Sequence, residues 1–254
     1  MGRIVSIRVF SGPVSPEPLI CDSVSEKVRD MFADIAKDYD RVNGVLSFGI
    51  HHLWRNQTVL ESGAKPGDRV LDCASGTGDL AISFKKAVGD DGYVMGTDFC
   101  REMIELAPEK ALHENLEIDF EVADVLNLPY EENTFDIASI AFGIRNVDDP
   151  VKALQELARV VRPDGRVVVL EFGQPDGLLK HPYRLYSSTI MPAVGGWLSG
   201  NREAYTYLPE TSAAFPAGDA FLNLMEQADV FSQRRAVKLT GGIAYVYVGT
   251  VEEN

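Results

Sequence analysis

Three acidic residues, each closing an apolar run, are the residues of this chain whose types and spacing could do chemistry. Val70-Leu71-Asp72 runs into Cys73-Ala74-Ser75-Gly76-Thr77-Gly78-Asp79, Tyr93–Thr97 runs into Asp98, and Ile118–Ala123 runs into Asp124. An apolar run that ends in an acid and a small, glycine-rich turn is how a buried parallel strand hands over to a helix. Strand ends of this kind line up carboxylates along the carboxyl edge of a sheet, where open α/β folds bind their ligands. A carboxylate there can accept ribose hydroxyls or an exocyclic amine, so the expected chemistry is recognition of a nucleoside. Gly76 and Gly78 lack Cβ atoms, which lets the backbone turn sharply and approach a ligand. The opposing reading is a strand–turn–helix that binds nothing, with Asp79 and Asp98 as helix caps and Asp124 as a turn former.

Charge decides between the nucleosides such an edge can hold. A dinucleotide turn reads GxGxxG; here Gly76-Thr77-Gly78-Asp79-Leu80-Ala81 keeps GxG and lacks the third glycine. Asp79 stands at the helix start, where a diphosphate needs a positive field. A cationic sulfonium nucleoside without phosphate suits this site better than NAD, which makes S-adenosylmethionine the expected cofactor. Asp98 can accept both ribose hydroxyls in either case, and Asp124 stands where an adenine amine can donate.

These acids need a sheet to position them. Strands are expected at 68–72, 93–97, 118–123, 135–140 and 166–172, with helices at 79–88, 101–113 and 149–161. Lys65-Pro66-Gly67-Asp68, Leu128-Pro129, Asp149-Pro150 and Pro163-Asp164-Gly165 punctuate them. Such alternation means βαβ units and an α/β, Rossmann-like, mostly parallel sheet. Val28, Met31, Phe32 and Ile35 fall at helical spacing after Ser25, and 23–62 reads as an N-terminal helical lid. Within it, Tyr39, Asn43, Leu46, Phe48, His52 and Trp54 mix aromatic and polar groups around Gly44 and Gly49, as turns facing a cavity would. An amphipathic packing helix has the same look.

After Phe172 the rhythm changes. Residues 178–215 carry Tyr183, Tyr186, Met191, Trp197, Tyr205, Tyr207 and Phe215, an aromatic insertion able to roof the crevice. A helix at 219–229 and an antiparallel strand pair at 234–240 and 243–248 complete the sheet. The expected organisation is a loose lead-in over 1–22 and one domain over 23–254.

A length of 254 residues with 45% hydrophobic content suits one substantial α/β domain. The 38 acids against 24 bases give a net charge of −14, which opposes a non-specific grip on nucleic acid. That charge also gives no electrostatic help at an anionic membrane. Cys21, Cys73 and Cys100 are too scattered for a disulfide framework. His51, His52, His113 and His181 form no HExxH arrangement, so no metal is expected. No apolar run approaches the roughly 18 residues of a membrane span and no signal pattern opens the chain, so a cytoplasmic protein is expected.

The turn over 72–80, the stretch from Leu128 to Asp136 and Val161-Arg162-Pro163-Asp164-Gly165 resemble successive motifs of class I S-adenosylmethionine-dependent methyltransferases. More narrowly, Phe32 to Gly49, Phe142-Gly143-Ile144-Arg145-Asn146-Val147, Leu170-Glu171-Phe172, and Tyr205 to Phe215 with Leu239 to Ile243 resemble the ubiquinone/menaquinone biosynthesis C-methyltransferases. The likeness runs over residues 24–249. It implies that Asp72, Gly76, Thr77, Gly78, Asp98, Asp124, Val125 and Ala141 surround S-adenosylmethionine. Ser75, Ala141 and Asp164 depart from residues common in the family, where Cys or Gly, Ser, and Gly respectively are usual.

The resemblance also implies methylation of a ring carbon of a polyprenylated quinol, demethylmenaquinol ahead of a benzoquinol. Carbon is a poor nucleophile until an adjacent ring hydroxyl loses its proton. The site must help remove that proton and align the carbon with the methyl–sulfur bond. Arg145 and Asn146, after the fourth strand, are the implied catalytic pair. The arginine would stabilise the developing phenolate or orient a water, with a salt bridge holding the loop as its other possible role. Tyr39, Asn43, Tyr205 and Tyr207 are the implied substrate contacts. A prenyl tail calls for an apolar edge at 178–215 and transient docking at the inner face of a membrane. A homodimer is the commonest assembly for such a chain. Competing readings are another small-molecule or an RNA methyltransferase, an NAD(P) oxidoreductase, and a scaffold that has lost catalysis.

Overall fold

The computed structural model describes residues 24–253, so the expected lead-in over 1–22, with Cys21, lies outside the described residues. β1 (Arg69–Cys73), β2 (Tyr93–Asp98), β3 (Asp119–Val122), β4 (Phe135–Ala141), β5 (Val161–Phe172), β6 (Phe231–Leu239) and β7 (Ala244–Val251) form one sheet. Its order is β3-β2-β1-β4-β5-β7-β6. β1 to β5 pair in parallel, and β7 runs antiparallel to both β5 and β6. The strand order reverses between β1 and β4, which opens a crevice at their carboxyl ends.

The first helices are α1 (Val24–Ile35), α2 (Tyr39–Leu46), α3 (Ile50–Ser62), α4 (Asp79–Val88), α5 (Arg101–Ile104) and α6 (Ala107–His113). They are followed by α7 (Pro150–Val160), α8 (Lys180–Leu185), α9 (Met191–Ser199), α10 (Arg202–Ala214) and α11 (Asp219–Ala228). Strands covered on both faces sort their side chains by pleat. Leu71, Ala138, Val167 and Val169 pack in the core under α7 and α11, while Val70, Ile137, Val168 and Leu170 pack in the core under α3 and α4. A third, smaller core joins lid to insertion: Ile35, Val42 and Leu46 meet Met191, Ala204 and Tyr205.

Two elements differ from expectation. The helix expected over 101–113 is broken into α5 and α6, because Pro108 lies in the first turn of α6 and has no N–H to continue the ladder. β5 begins at Val161, but its pairing with β4 jumps from Phe135↔Val161 to Ile137↔Arg166. The expected turn therefore sits inside the strand as a bulged loop. Asp164 takes φ +62 there, a left-handed conformation that Asp tolerates better than most residues.

Gly96 in β2 lies directly beneath the glycine-rich turn, where a Cβ would stand 2.5 Å from Phe120 and 3.1 Å from the Ser75 hydroxyl. Gly96→Ala is expected to lower stability by about 1–3 kcal/mol through overpacking. Urea unfolding would show this as a lower midpoint at unchanged slope.

Candidate active site

Two cavities meet at the crevice. The smaller, about 150 Å³, is lined by Gly76, Asp98, Asp124, Val125, Ala141 and Asn146 among others. The Asp98 carboxylate is anchored from behind: the Gly76 N–H donates to Oδ2 and the Cys100 N–H to Oδ1, each at 2.8 Å. Both oxygens keep lone pairs for further donors. Burial pushes Asp98 up to about 6, against the pull of these backbone N–H groups. Asp124 is exposed, and its Oδ1 accepts from the Leu126 N–H at 2.9 Å, so a turn-forming role and a place in the cavity wall coexist.

Asp72, Thr77 and Gly78, expected around the cofactor, do not line this cavity. Asp72 is fully buried beneath the turn and accepts from the Ser75 and Ser139 hydroxyls, both at 2.7 Å. Burial raises it to about 6. Ser75, unusual for the family pattern, here satisfies a buried carboxylate. The Cβ that Gly78 lacks would stand 3.0 Å from Ala107, so its smallness serves the packing of α4 on α6. The Thr77 hydroxyl donates to Asp40 Oδ1 at 2.6 Å and ties α2 to the turn.

Asp79 does stand at the start of α4, but it does not present free charge to a ligand. Arg55 lies 3.4 Å from one oxygen and Lys110 pairs with the other. Burial works against its charge, yet Arg55 and Lys110 outweigh burial and hold the carboxyl below its usual range. The cations facing this helix start are thus bound to a carboxylate and not offered to a diphosphate. An anchored acid at the β2 end, with both Arg55 and Lys110 paired to Asp79 at the start of α4, fits a sulfonium nucleoside better than a dinucleotide.

The larger cavity, about 340 Å³, is bounded mainly by apolar and aromatic side chains of the lid, α3 and the insertion. Tyr39, Asn43, Tyr205 and Tyr207, the residues implied as substrate contacts, all line it. Phe32, Tyr39 and Phe142 line both cavities and form the partition between them. Phe142 has φ +55, a strained conformation that its surroundings must impose. Gly143 permits it, since a Cβ there would stand 2.5 Å from the Cβ of Ala74. Phe142 stacks on Phe172 with ring centroids 4.4 Å apart.

Arg145 Nη1 donates to the Phe142 carbonyl at 2.6 Å and to Glu171 Oε1 at 2.8 Å. The two side chains are only 3% and 1% exposed. Arg145 thus holds its loop through an ion pair and also lines the larger cavity, with Nε buried and unpartnered. Asn146 is the next residue, yet it lines the smaller cavity and accepts from the Tyr207 hydroxyl at 3.2 Å.

Glu171, His51 and Arg55 are site residues that sequence reasoning did not single out. Glu171 carries the same signal as Asp72 and Asp98, an acid ending an apolar strand. His52, expected to face the cavity, is exposed; His51 is buried and lines it with Trp54 and Arg55. Residues 51, 54 and 55 share one helical face; the expected set holds Trp54 from that face but takes His52, about 100° round the helix, in place of His51.

Similarity to known proteins can be set against this geometry. The model of the ubiE/COQ5 methyltransferase family matches residues 20–251. The chain belongs to that family. It is 57% identical over 231 residues to the ubiquinone/menaquinone biosynthesis C-methyltransferase UbiE of Bdellovibrio bacteriovorus, covering 89% of this chain and 97% of that one. It is 43% identical over 225 residues to the demethylmenaquinone methyltransferase of Deinococcus radiodurans, covering 88% and 92%. The fold is similar to that of a SAM-dependent methyltransferase from Aquifex aeolicus, with a TM-score of 0.62 at 21% identity over 84% of this chain and 97% of that chain. As a member of the ubiE/COQ5 family the chain is a methyltransferase, and S-adenosylmethionine is its methyl donor.

Within this family member, Glu171→Ala leaves the Arg145 cation buried and uncompensated. The expected loss is about 3–5 kcal/mol. Replacing both partners with apolar residues, Arg145→Met with Glu171→Leu, is expected to recover most of that stability. Urea unfolding of the single and double variants measures both effects.

Proposed function

We propose that the chain transfers a methyl group from S-adenosylmethionine to a ring carbon of a polyprenylated quinol, demethylmenaquinol foremost. The observation that carries this reading is the pair of abutting cavities. One holds an anchored carboxylate at strand ends; the other is an aromatic-walled chamber with a buried arginine, and among the described residues Phe32, Tyr39 and Phe142 border both.

S-adenosylmethionine supplies an electrophilic methyl group and needs a carbon nucleophile beside it. Asp98 accepts from the ribose hydroxyls and Asp124 from the adenine amine, while Val125 and Ala141 supply apolar wall. Arg145 orients a water that takes the ring hydroxyl's proton and stabilises the negative charge that develops on the oxygen. It is far too weak an acid to serve as the base itself. After the carbon takes the methyl group from sulfur, leaving the neutral thioether, the ring C–H proton passes to water and the ring regains its aromaticity. Asn146, bonded to Tyr207, couples the loop between the cavities to the substrate side. Tyr39 and Asn43 close over the ring from the lid.

A long prenyl tail needs a greasy exit. Leu178, Leu185, Ile190 and Trp197 of the insertion are exposed, as is Phe48 at the cavity's edge. We place the tail and a transient membrane contact there. No helix among the described residues is long and apolar enough to cross a membrane, so the contact is peripheral in this reading.

The deciding experiment offers reduced short-tail demethylmenaquinol and the corresponding benzoquinol, in detergent, with labelled S-adenosylmethionine. Label on a ring carbon, faster with the naphthoquinol, is expected; cofactor binding without transfer to either ring would overturn the proposal. Cofactor binding should also follow the Asp98 charge. Affinity is expected to be level above the value of about 6 to which burial raises Asp98. Below it, affinity should fall by about tenfold per pH unit as the carboxylate is protonated. Asp98→Asn should bind weakly with no such bend, as read by calorimetry across pH 5–8.

A further inference from the structure

Among the described residues, the buried side-chain polar atoms without a hydrogen-bond partner are His51 Nε2, Arg145 Nε and the Tyr205 hydroxyl. All three residues line the larger cavity. A dry polar atom carries a desolvation penalty that a ligand atom can relieve, so their convergence on one chamber points to what the chamber receives.

His51 is the informative member. The residue is 6% exposed, and Nδ1 is in close contact with Arg55 Nη1. A guanidinium can only donate, so Nδ1 is the acceptor and the proton of the neutral ring sits on Nε2. The ring stays neutral because burial, then the Arg55 charge and His52, hold it down at about 4, while Asp79 and Asp40 pull weakly the other way. His51 therefore offers a fixed N–H donor at neutral pH, in a wall that is otherwise mostly apolar.

We infer that His51 donates its Nε2–H to one of the two ring oxygens of the quinol, leaving the other oxygen to Arg145; the inference rests on the acceptor proposed above. Two N–H donors on one chamber match a ring with two oxygens. A neutral donor stabilises a phenolate without adding a second cation to the site.

His51→Phe keeps an aromatic ring and removes the donor, while His51→Gln returns an amide N–H. Expected for the Phe variant is a loss of about 10- to 100-fold in kcat/KM for the quinol, with S-adenosylmethionine affinity held within about twofold, and recovery of most of the loss by the Gln variant. No transfer to the quinol by the unsubstituted enzyme would overturn the acceptor reading. Transfer by that enzyme with an unimpaired Phe variant, or a Gln variant as poor as Phe, would overturn the His51 inference alone. Nitrogen-15 NMR of the unsubstituted enzyme gives an answer even if the Phe variant does not fold, since the chain has only four histidines. The expected pattern at pH 7 is a neutral His51 protonated on Nε2, whose signal moves when the fully methylated quinol is added. A proton on Nδ1, a charged ring, or an unmoved signal would overturn the inference.

Discussion

The buried ion pair between Arg145 and Glu171 is the interaction on which the rest of the site depends. Neither charge is tolerable alone in so dry a place, so the end of β5 and the loop after β4 must stay together. The same guanidinium also donates to the Phe142 carbonyl of the loop at 2.6 Å. That grip keeps Phe142 in its left-handed conformation and its ring against Phe172. The ring is part of the wall between the two cavities. A charge pair at the sheet edge thus fixes the boundary between the two cavities.

The acids of the glycine-rich turn are sorted by their partners. Asp72 is met by hydroxyls, Asp98 by backbone N–H groups, and Asp79 by two cations. Burial raises the first two to about 6, whereas Asp79 is held below its usual range by Arg55 and Lys110 despite burial. Lys110 also reaches Asp40 at 2.6 Å, and Asp40 receives the Thr77 hydroxyl. The lid is therefore latched to the turn through charge as well as through the small apolar core it shares with the insertion. A charged latch and an apolar seat together let the lid close off the smaller cavity while presenting Tyr39 to both.

Much of the smaller cavity's lining was legible because it depends on local pattern. Asp98, Gly76, Asp124, Val125 and Ala141 stand at strand ends, and a strand end announces itself by the stop of an apolar run. Asp72, Thr77 and Gly78 belong to the same motif but lie off the cavity wall, where they bond to or pack on neighbouring elements. Which side of a turn a side chain takes depends on neighbours far along the chain, such as Ser139, Asp40 and Ala107. The helix break at Pro108 was readable in principle, since a proline early in a helix has no donor for the preceding turn. His51 and His52 show the opposite limit, because adjacent residues on a helix point about 100° apart and periodicity with few apolar markers fixes that phase poorly.

By itself the sequence determined the parallel sheet, the carboxylates along its edge, the family, and hence the cofactor, because each rests on short-range periodicity or on a contiguous motif. Only the tertiary structure decided that Arg145 and Asn146, neighbours in the chain, serve different cavities. It also decided that Glu171 is the arginine's partner and that His51 faces inward beside Trp54. These facts arise where a loop, a strand end and a lid helix meet across long stretches of chain. Burial there sets each group's charge and leaves it one available partner, a constraint that no local pattern encodes.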